Sequence, residues 1–505
     1  MKVKLFLITF VVLFLGYTNV RAQFGGKLDT IKPIYGEVTP ICACEALMKI
    51  SIPNTNIKAA AIDPKDGSCR VTAIVRHAPA NDSVTVWIAL PVKHWNGRFE
   101  GTGGGGFLGG HPFNLKEPLS NGFAAGATNT GHDGGSGSFA LDTNRHSLNW
   151  QVIQDNAYLG IHDMTIVGKA LVESFYGKPA RYAYFAGGSM GGRQGISEAL
   201  RFPDDYNGIL SLYPAVNFTR FLLADLWPQV AMNEEKNYIS VQKLKAANAA
   251  IVQAFDTIDG KKDSVLDDPL NPTIDIQVLV GKTVGDSYFT QADANVIRKI
   301  WEGPRTHGGK FLWYGFLPGA NLTAVAGAQG KELARYPFIT ALEWVSYFLL
   351  SDPKWNVNTL TRDGFELLWN QSVEQYDQVF ATDNPDLTRF KDHGGKVLIL
   401  HGLADQLIPP QGSIDYYERV QYKMGGVKAT AKFARLFFLP GLDHSLLGFG
   451  PKPVNHFSSL IRWVEEGKAP DRIVAKLTDK SGKVIQSRSY APYLEKSKIL
   501  TNPSK

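Results

Sequence analysis

"FAGGSMGGRQG" (residues 185–195) sets one serine, Ser189, among five glycines. Three readings compete: a nucleophile on a tight turn, a phosphate-cradling loop, or a flexible link. The flanks decide between them. "ARYAYFAG" reads as a strand, running from Arg181 to Ala186. "GRQGISEALRFP" has helical spacing, starts near Gly192 and is stopped by Pro203. Between them, Gly187, Ser189 and Gly191 fit Gly-x-Ser-x-Gly. A strand, that motif and a helix predict a nucleophile elbow, a strained turn that lifts the hydroxyl above a sheet. Its glycines admit contacts that larger side chains would block. No Gly-x-x-x-x-Gly-Lys-Ser/Thr phosphate loop is present.

The same rhythm extends outward. "RVTAIVRHA" and "DSVTVWIALPV" read as strands, "QDNAYLGIHDMTIVGKALVESFYG" as a helix closed by Gly177, and "GILSLYPA" as a strand. The rhythm breaks over residues 216–390, a longer, helical stretch holding six of the ten tryptophans. It resumes with "KVLILHG", a helix in "SIDYYERVQYKMG", a strand in "ARLFFLPG" and a helix in "HFSSLIRWVEEG". Alternating strands and helices predict a mainly parallel sheet covered on both faces. The expected fold class is α/β, with core segments 23–215 and 391–505 split by an insertion at 216–390. An insertion at the carboxyl edge of such a sheet sits over the ligand crevice.

A serine hydroxyl is a weak nucleophile until a base takes its proton. The chain order expected for an elbow serine is Ser, then Asp or Glu, then His. "VLILHGLADQLIPP" places Asp405 just past a buried strand, and "RLFFLPGLDHSLLG" places His444 after the next. Both fall at carboxyl ends of strands, on the edge that carries Ser189. Asp405 would orient the imidazole, and His444 would act as base and then acid. Rival residues are Asp443, too close in sequence to face the same ring, and His401, at the end of the strand before Asp405.

An oxyanion hole needs two donors aimed at one oxygen. The Met190 N–H, after the nucleophile, is one. "GTGGGGFLGG" (101–110) is the expected source of the other, with Gly104 and Gly105 as candidates. Its Gly-x-Gly-x-x-Gly spacing lacks the following helix that dinucleotide binding requires.

The bulk properties exclude some classes. The 53 basic and 47 acidic residues are interspersed, so the net charge of +6 forms no nucleic-acid patch. "MKVK", a 12-residue apolar run and "VRA" before Gln23 read as a signal peptide over 1–22, too short to span a membrane. Export permits a disulfide, and three cysteines allow one bridge: Cys69 with Cys42 or Cys44.

In the insertion, "FDTIDGKKDSVLDDP" gathers Asp256, Asp259, Asp263, Asp267 and Asp268 around Gly260. The spacing is not an EF-hand. Repeated carboxylates with interleaved carbonyls suit a hard cation such as Ca²⁺, and a solvated acidic turn is the plainer alternative.

The chain resembles the tannase and feruloyl esterase family from about Cys44 to Tyr493. "WNGRFEGTGGGGFLGG", "GATNTGHDGG", "YFAGGSMGGRQG", "FDTIDGKKDSVLDDP", "HGLADQLIPPQGSIDYYERV" and "FFLPGLDHS" carry the resemblance. It implies an α/β-hydrolase core with a lid domain and hydrolysis of aromatic-acid esters of feruloyl or hydroxycinnamoyl type. Galloyl esters and mono(2-hydroxyethyl) terephthalate are the close alternatives, and a phenolic- or carbohydrate-binding protein on a hydrolase scaffold is the alternative of another class. The implied partner is a small aromatic ester, free or attached to polysaccharide, with no nucleic acid and no membrane span. The resemblance carries the nucleophile, acid and base to Ser189, Asp405 and His444. It implies structural Ca²⁺ on Asp256, Asp259 and Asp263 with the carbonyls of Lys261 and Val265, and a Cys44–Cys69 bridge. One departure stands out: many members pair a cysteine before the nucleophile with one after the histidine, where this chain has Gly188 and Ser445.

Overall fold

Nine strands form one mixed sheet in the computed structural model, which describes residues 32–142, 147–329, 334–335 and 337–494. The expected signal peptide lies outside the described residues. In chain order the strands are β1 (Thr55–Ile62), β2 (Cys69–Val75), β3 (Val84–Leu90), β4 (Arg98–Thr102), β5 (Ala124–Thr128), β6 (Tyr182–Gly188), β7 (Gly208–Leu212), β8 (Lys396–Gly402) and β9 (Ala434–Leu439). Their order across the sheet is β1-β2-β3-β5-β4-β6-β7-β8-β9. From β5 to β9 every pairing is parallel, while β1, β2 and β3 pair antiparallel at one edge.

Burial explains the two halves. β2 alternates buried and half-buried residues, as a strand with one wetter face must. β8, "KVLILHG", is buried from Val397 to Gly402, which requires cover on both faces. Helices α1 (Gly160–Tyr176), α2 (Met190–Arg201), α8 (Pro410–Lys423) and α9 (His456–Glu466) supply much of that cover. The helix after the elbow starts at Met190, two residues earlier than its sequence suggests.

The chain leaves the sheet after β7 and re-enters at β8. The intervening stretch holds α3 (Phe218–Ala224), α4 (Trp227–Glu235), α5 (Val241–Phe255), α6 (Gln291–Glu302) and α7 (Arg362–Phe380). One apolar cluster lies within it, around Ile251, Phe289 and Ile300. A second runs from Phe107 and Met190 of the core into Phe218, Trp344 and Phe380. Arg193 of α2, fully buried, adds polar ties: its guanidinium donates to the carbonyls of Phe380 and Ala157 at 2.7–2.8 Å.

Cys44 and Cys69 form the disulfide, joining a 3-10 turn to the start of β2. Cys42 remains a free, half-buried thiol beside the Ser174 carbonyl. No helix among the described residues is long and apolar enough to cross a membrane.

Candidate active site

Ser189 sits between β6 and α2 with φ 60° and ψ −122°, a sparsely populated conformation that costs about 1–3 kcal/mol. The surroundings hold it there. Its N–H donates to Leu212 O at 3.0 Å, and its carbonyl accepts from Arg193 and Ala215 N–H at 3.0 and 3.1 Å. A Cβ on Gly103 would stand 2.6 Å from Gly191 Cα, so the elbow and the glycine loop touch backbone to backbone.

Three side chains from three strand ends then meet. The Ser189 hydroxyl lies 3.0 Å from His444 Nε2. His444 Nδ1 lies 2.9 and 3.1 Å from the two Asp405 oxygens. Asp405 is fully buried. Burial alone would raise its pKa, but the adjacent His444 and hydrogen bonds from His401 and His444 hold its carboxyl well below the usual range. The N–H groups of Leu407 and Ile408 donate to Asp405 Oδ1, each at 2.8 Å.

The rivals have other duties. His401 is buried, with Nε2 3.1 Å from Asp405 Oδ2 and Nδ1 2.8 Å from Ser413 Oγ, so it supports the carboxylate from behind. Asp443 caps its own turn by accepting from Ser445 and Leu447 N–H. Gln406 accepts from His444 N–H at 3.1 Å and fixes the ring's backbone.

Tyr213 occupies the space beside Gly188. A Cβ at Gly188 would stand within 2.5 Å of Tyr213 Cζ, and the Tyr213 ring lies 4.8 Å from the His444 ring. Tyr213 is buried at φ 34°, where the chain turns off β7. A buried aromatic ring therefore packs against both elbow and histidine. Gly188→Ala forces that ring to move. It is expected to cost about 1–3 kcal/mol of stability and to lower kcat more than it changes KM. Adding Tyr213→Ala should give less than additive destabilisation in urea titrations; full additivity would contradict the packing.

The glycine loop departs from expectation. Gly104 N–H donates to Gln194 Oε1 at 3.1 Å, and Gly105 N–H to Leu108 O at 3.1 Å. Neither amide is free as a second oxyanion donor in this arrangement. Met190, at the first position of α2, has the N–H that a helix start leaves without an intrahelical partner. Gln194 also donates to Gly109 O at 3.2 Å, so one buried amide clamps both arms of the loop to the nucleophile helix. The Phe107 carbonyl, at the loop's tip, lies 2.9 Å from His132 Nε2 and accepts from Asn156 Nδ2 at 2.8 Å. Burial drives the His132 pKa down to about 4, so its ring is neutral near pH 7. The stretch "GATNTGHDGG" contains His132, but its sequence does not reveal that task.

The acidic loop is folded on itself. Asp256 Oδ1 accepts from Asp263 and Val265 N–H at 3.1 and 3.2 Å. Arg488, on the strand β11 (Val484–Tyr490) of a hairpin with β10 (Ile473–Thr478), pairs with Asp263 and Asp267. Asp259 Oδ2 and Asp263 Oδ1 are buried without a hydrogen-bond donor, with the Lys261 ammonium 3.5 Å from Asp259 Oδ2 and the Asp267 carboxyl beside Asp259. Orphaned carboxylate oxygens in an all-oxygen donor set fit a hard cation.

The chain is similar to known proteins in sequence and fold. A model of the family described as tannase and feruloyl esterase matches residues 69–500. A protein of Arthroderma benhamiae named probable feruloyl esterase is 37% identical over 446 residues, covering 86% of this chain and 81% of that protein. Feruloyl esterase B of Aspergillus niger is 28% identical over 508 residues, covering 95% and 92%. Among solved structures, feruloyl esterase B from Aspergillus oryzae superposes with a TM-score of 0.78 at 25% identity, covering 89% of this chain and 96% of that one. A tannin acyl hydrolase from Aspergillus niger shares the fold, with a TM-score of 0.80 at 23% identity and 89% and 91% coverage.

Proposed function

This chain belongs to the tannase and feruloyl esterase family of carboxylic ester hydrolases, and on that premise we propose that it is an exported serine esterase that releases feruloyl-type aromatic acids through an acyl-enzyme. The observation that carries the reading is the hydroxyl–imidazole–carboxylate chain, with links of 3.0 and 2.9 Å. The 37% identical relative named probable feruloyl esterase supports the acid class.

Ser189 Oγ attacks the ester carbonyl carbon as its proton passes to His444 Nε2. The bond to the alcohol oxygen then breaks, and that oxygen takes the proton from His444. Water next gives a proton to His444 and attacks the acyl carbon. The acid leaves, and Ser189 recovers its hydrogen. Asp405 stays ionised and holds the ring with Nε2 facing the serine. The Met190 N–H faces the developing oxyanion.

An apolar cluster adjoins the triad residues. Met190, Ala215, Leu407 and Ile408 flank Ser189 and Asp405, and their cluster continues into Trp313 and Tyr314 of the insertion. An apolar cluster beside the nucleophile supports an aromatic acyl group. Methyl ferulate, methyl gallate and mono(2-hydroxyethyl) terephthalate should be compared with the purified enzyme. The expected result is the highest kcat/KM on methyl ferulate. Preference for either of the others would reassign the acyl group, and no turnover of any would contradict the proposal.

The basic start and apolar run of residues 1–22 support export. For calcium, the carboxylates of Asp256, Asp259 and Asp263 with the carbonyls of Lys261 and Val265 would form a structural site. Val265 packs on Gly441, where an added Cβ would stand 2.9 Å from Val265 Cγ2, just before His444 in the chain. Cation binding would thus brace the histidine turn. With calcium at ~100 times its Kd, the stabilisation is about 2.7 kcal/mol. Chelation is expected to lower the unfolding temperature reversibly. An unchanged melting curve, with no calcium in the purified protein, would count against the site.

A further inference from the structure

Outside the triad, two clusters bring His and carboxylate ligand atoms within 4.8 Å of one another among the described residues: His77–Asp82–Asp155 and His162–Glu198–Asp205. Ion pairing accounts for the first. His77 Nδ1 lies 2.7 Å from Asp82 and 3.5 Å from Asp155, and Nε2 lies 3.3 Å from Asp163. The hydrogen bond to Asp163 is the main force raising its pKa, to about 9, so an imidazolium already fills the space between the carboxylates.

The second cluster has no such cation in its centre. Glu198, on α2 beyond Ser189, is 1% exposed, and neither carboxylate oxygen receives a hydrogen bond from a donor. Its neighbour is Asp205, 5% exposed and an acceptor like itself. Burial, and then the Asp205 charge, push the Glu198 carboxyl well above its usual range. The Lys169 ammonium acts on the pair from a distance and donates to the Asp204 carbonyl at 3.3 Å. A buried carboxylate facing another must hold a proton or a cation. The opening to solvent is at His162 of α1. Its Nδ1 lies 2.6 Å from Asp205 Oδ2, and its ring stacks on Phe202 at 3.8 Å, which fixes its aim.

We propose that His162, Glu198 and Asp205 form a binding site for a zinc-type divalent transition-metal ion at the seam of α1 and α2. One imidazole nitrogen with two carboxylates suits zinc, whereas calcium and magnesium favour all-oxygen sets. Entry displaces the proton held between the carboxyl groups, leaves the imidazole N–H on Nε2, and opens the 2.6 Å contact. Binding is therefore coupled to proton release. The ion would tie α1, α2 and the turn before β7 behind the nucleophile, in a position distinct from the acidic loop.

The test is calorimetric titration of the full chain with Zn²⁺, with calcium in excess to saturate the acidic loop. The expected result is one zinc per chain, with an enthalpy that varies with the buffer's ionisation heat as protons are released. Glu198→Gln, which keeps the side chain's shape, and His162→Ala, at the half-exposed position, should each weaken binding by at least about tenfold. Circular dichroism would confirm that both variants fold. No saturable zinc binding to the parent protein, or equal affinity in both variants, overturns the proposal and leaves a proton shared between Glu198 and Asp205.

Discussion

Ser189→Ala is expected to reduce kcat on methyl ferulate by on the order of 10⁶, to the residual rate left by binding and backbone donors. Removing one oxygen is enough because the covalent route disappears while the rest of the constellation remains. Stability should hold or rise. The serine hydroxyl bonds to His444, and the strained backbone at φ 60° is carried by its amide and carbonyl bonds. Circular dichroism and urea unfolding of the variant would establish that the loss is chemical. Retention of more than a few per cent of the activity in a correctly folded variant would remove Ser189 from the mechanism.

Asp405→Asn is expected to lower kcat by about 10⁴ with a much smaller change in KM. The amide cannot stabilise the imidazolium, and it can present an N–H where His444 Nδ1 needs an acceptor. Stability should fall as well. The Asp405 carboxyl is held well below its usual pKa by His444 and His401 against the opposing effect of burial. A depressed carboxyl contributes stability above its unfolded-state pKa and loses it as pH falls through the folded value. The gap in unfolding free energy between parent and variant should therefore be widest near neutrality and narrow in acid. A gap that stays constant down to strongly acidic pH would mean that the charge of Asp405 does not carry its structural role.

The triad was legible because its parts follow a grammar of strand ends. Gly-x-Ser-x-Gly between a strand and a helix, Asp after "VLILHG" and His after "LFFLPG" all fall on one sheet edge whatever the loops do. The parallel half of the sheet was legible for the same reason, since runs such as "KVLILHG" are buried on both faces. Tyr213 was not. "GILSLYPA" reads as one strand, yet the pairing ends at Leu212, and the turn at Tyr213 aims a ring at Gly188 and His444. Gln194 and Arg193 give no signal in the sequence because polar residues on a helix usually face water. Here α2 is enclosed, and both side chains bond loop or insertion carbonyls. The glycine amides are hard to read for a related reason. Which N–H groups stay free depends on how the loop closes, and Leu108 and Gln194 take those of Gly105 and Gly104. Arg488 lies far from the acidic loop in sequence, and only the fold brings them together.

Labelling with a fluorophosphonate ester, followed by peptide mass mapping, tests the central claim most directly. The triad predicts one phosphonyl group per chain, on the peptide containing Ser189, with esterase activity lost in proportion to labelling and no labelling of Ser189→Ala. Label on another residue, or full hydrolysis of methyl ferulate by stoichiometrically labelled protein, would contradict it.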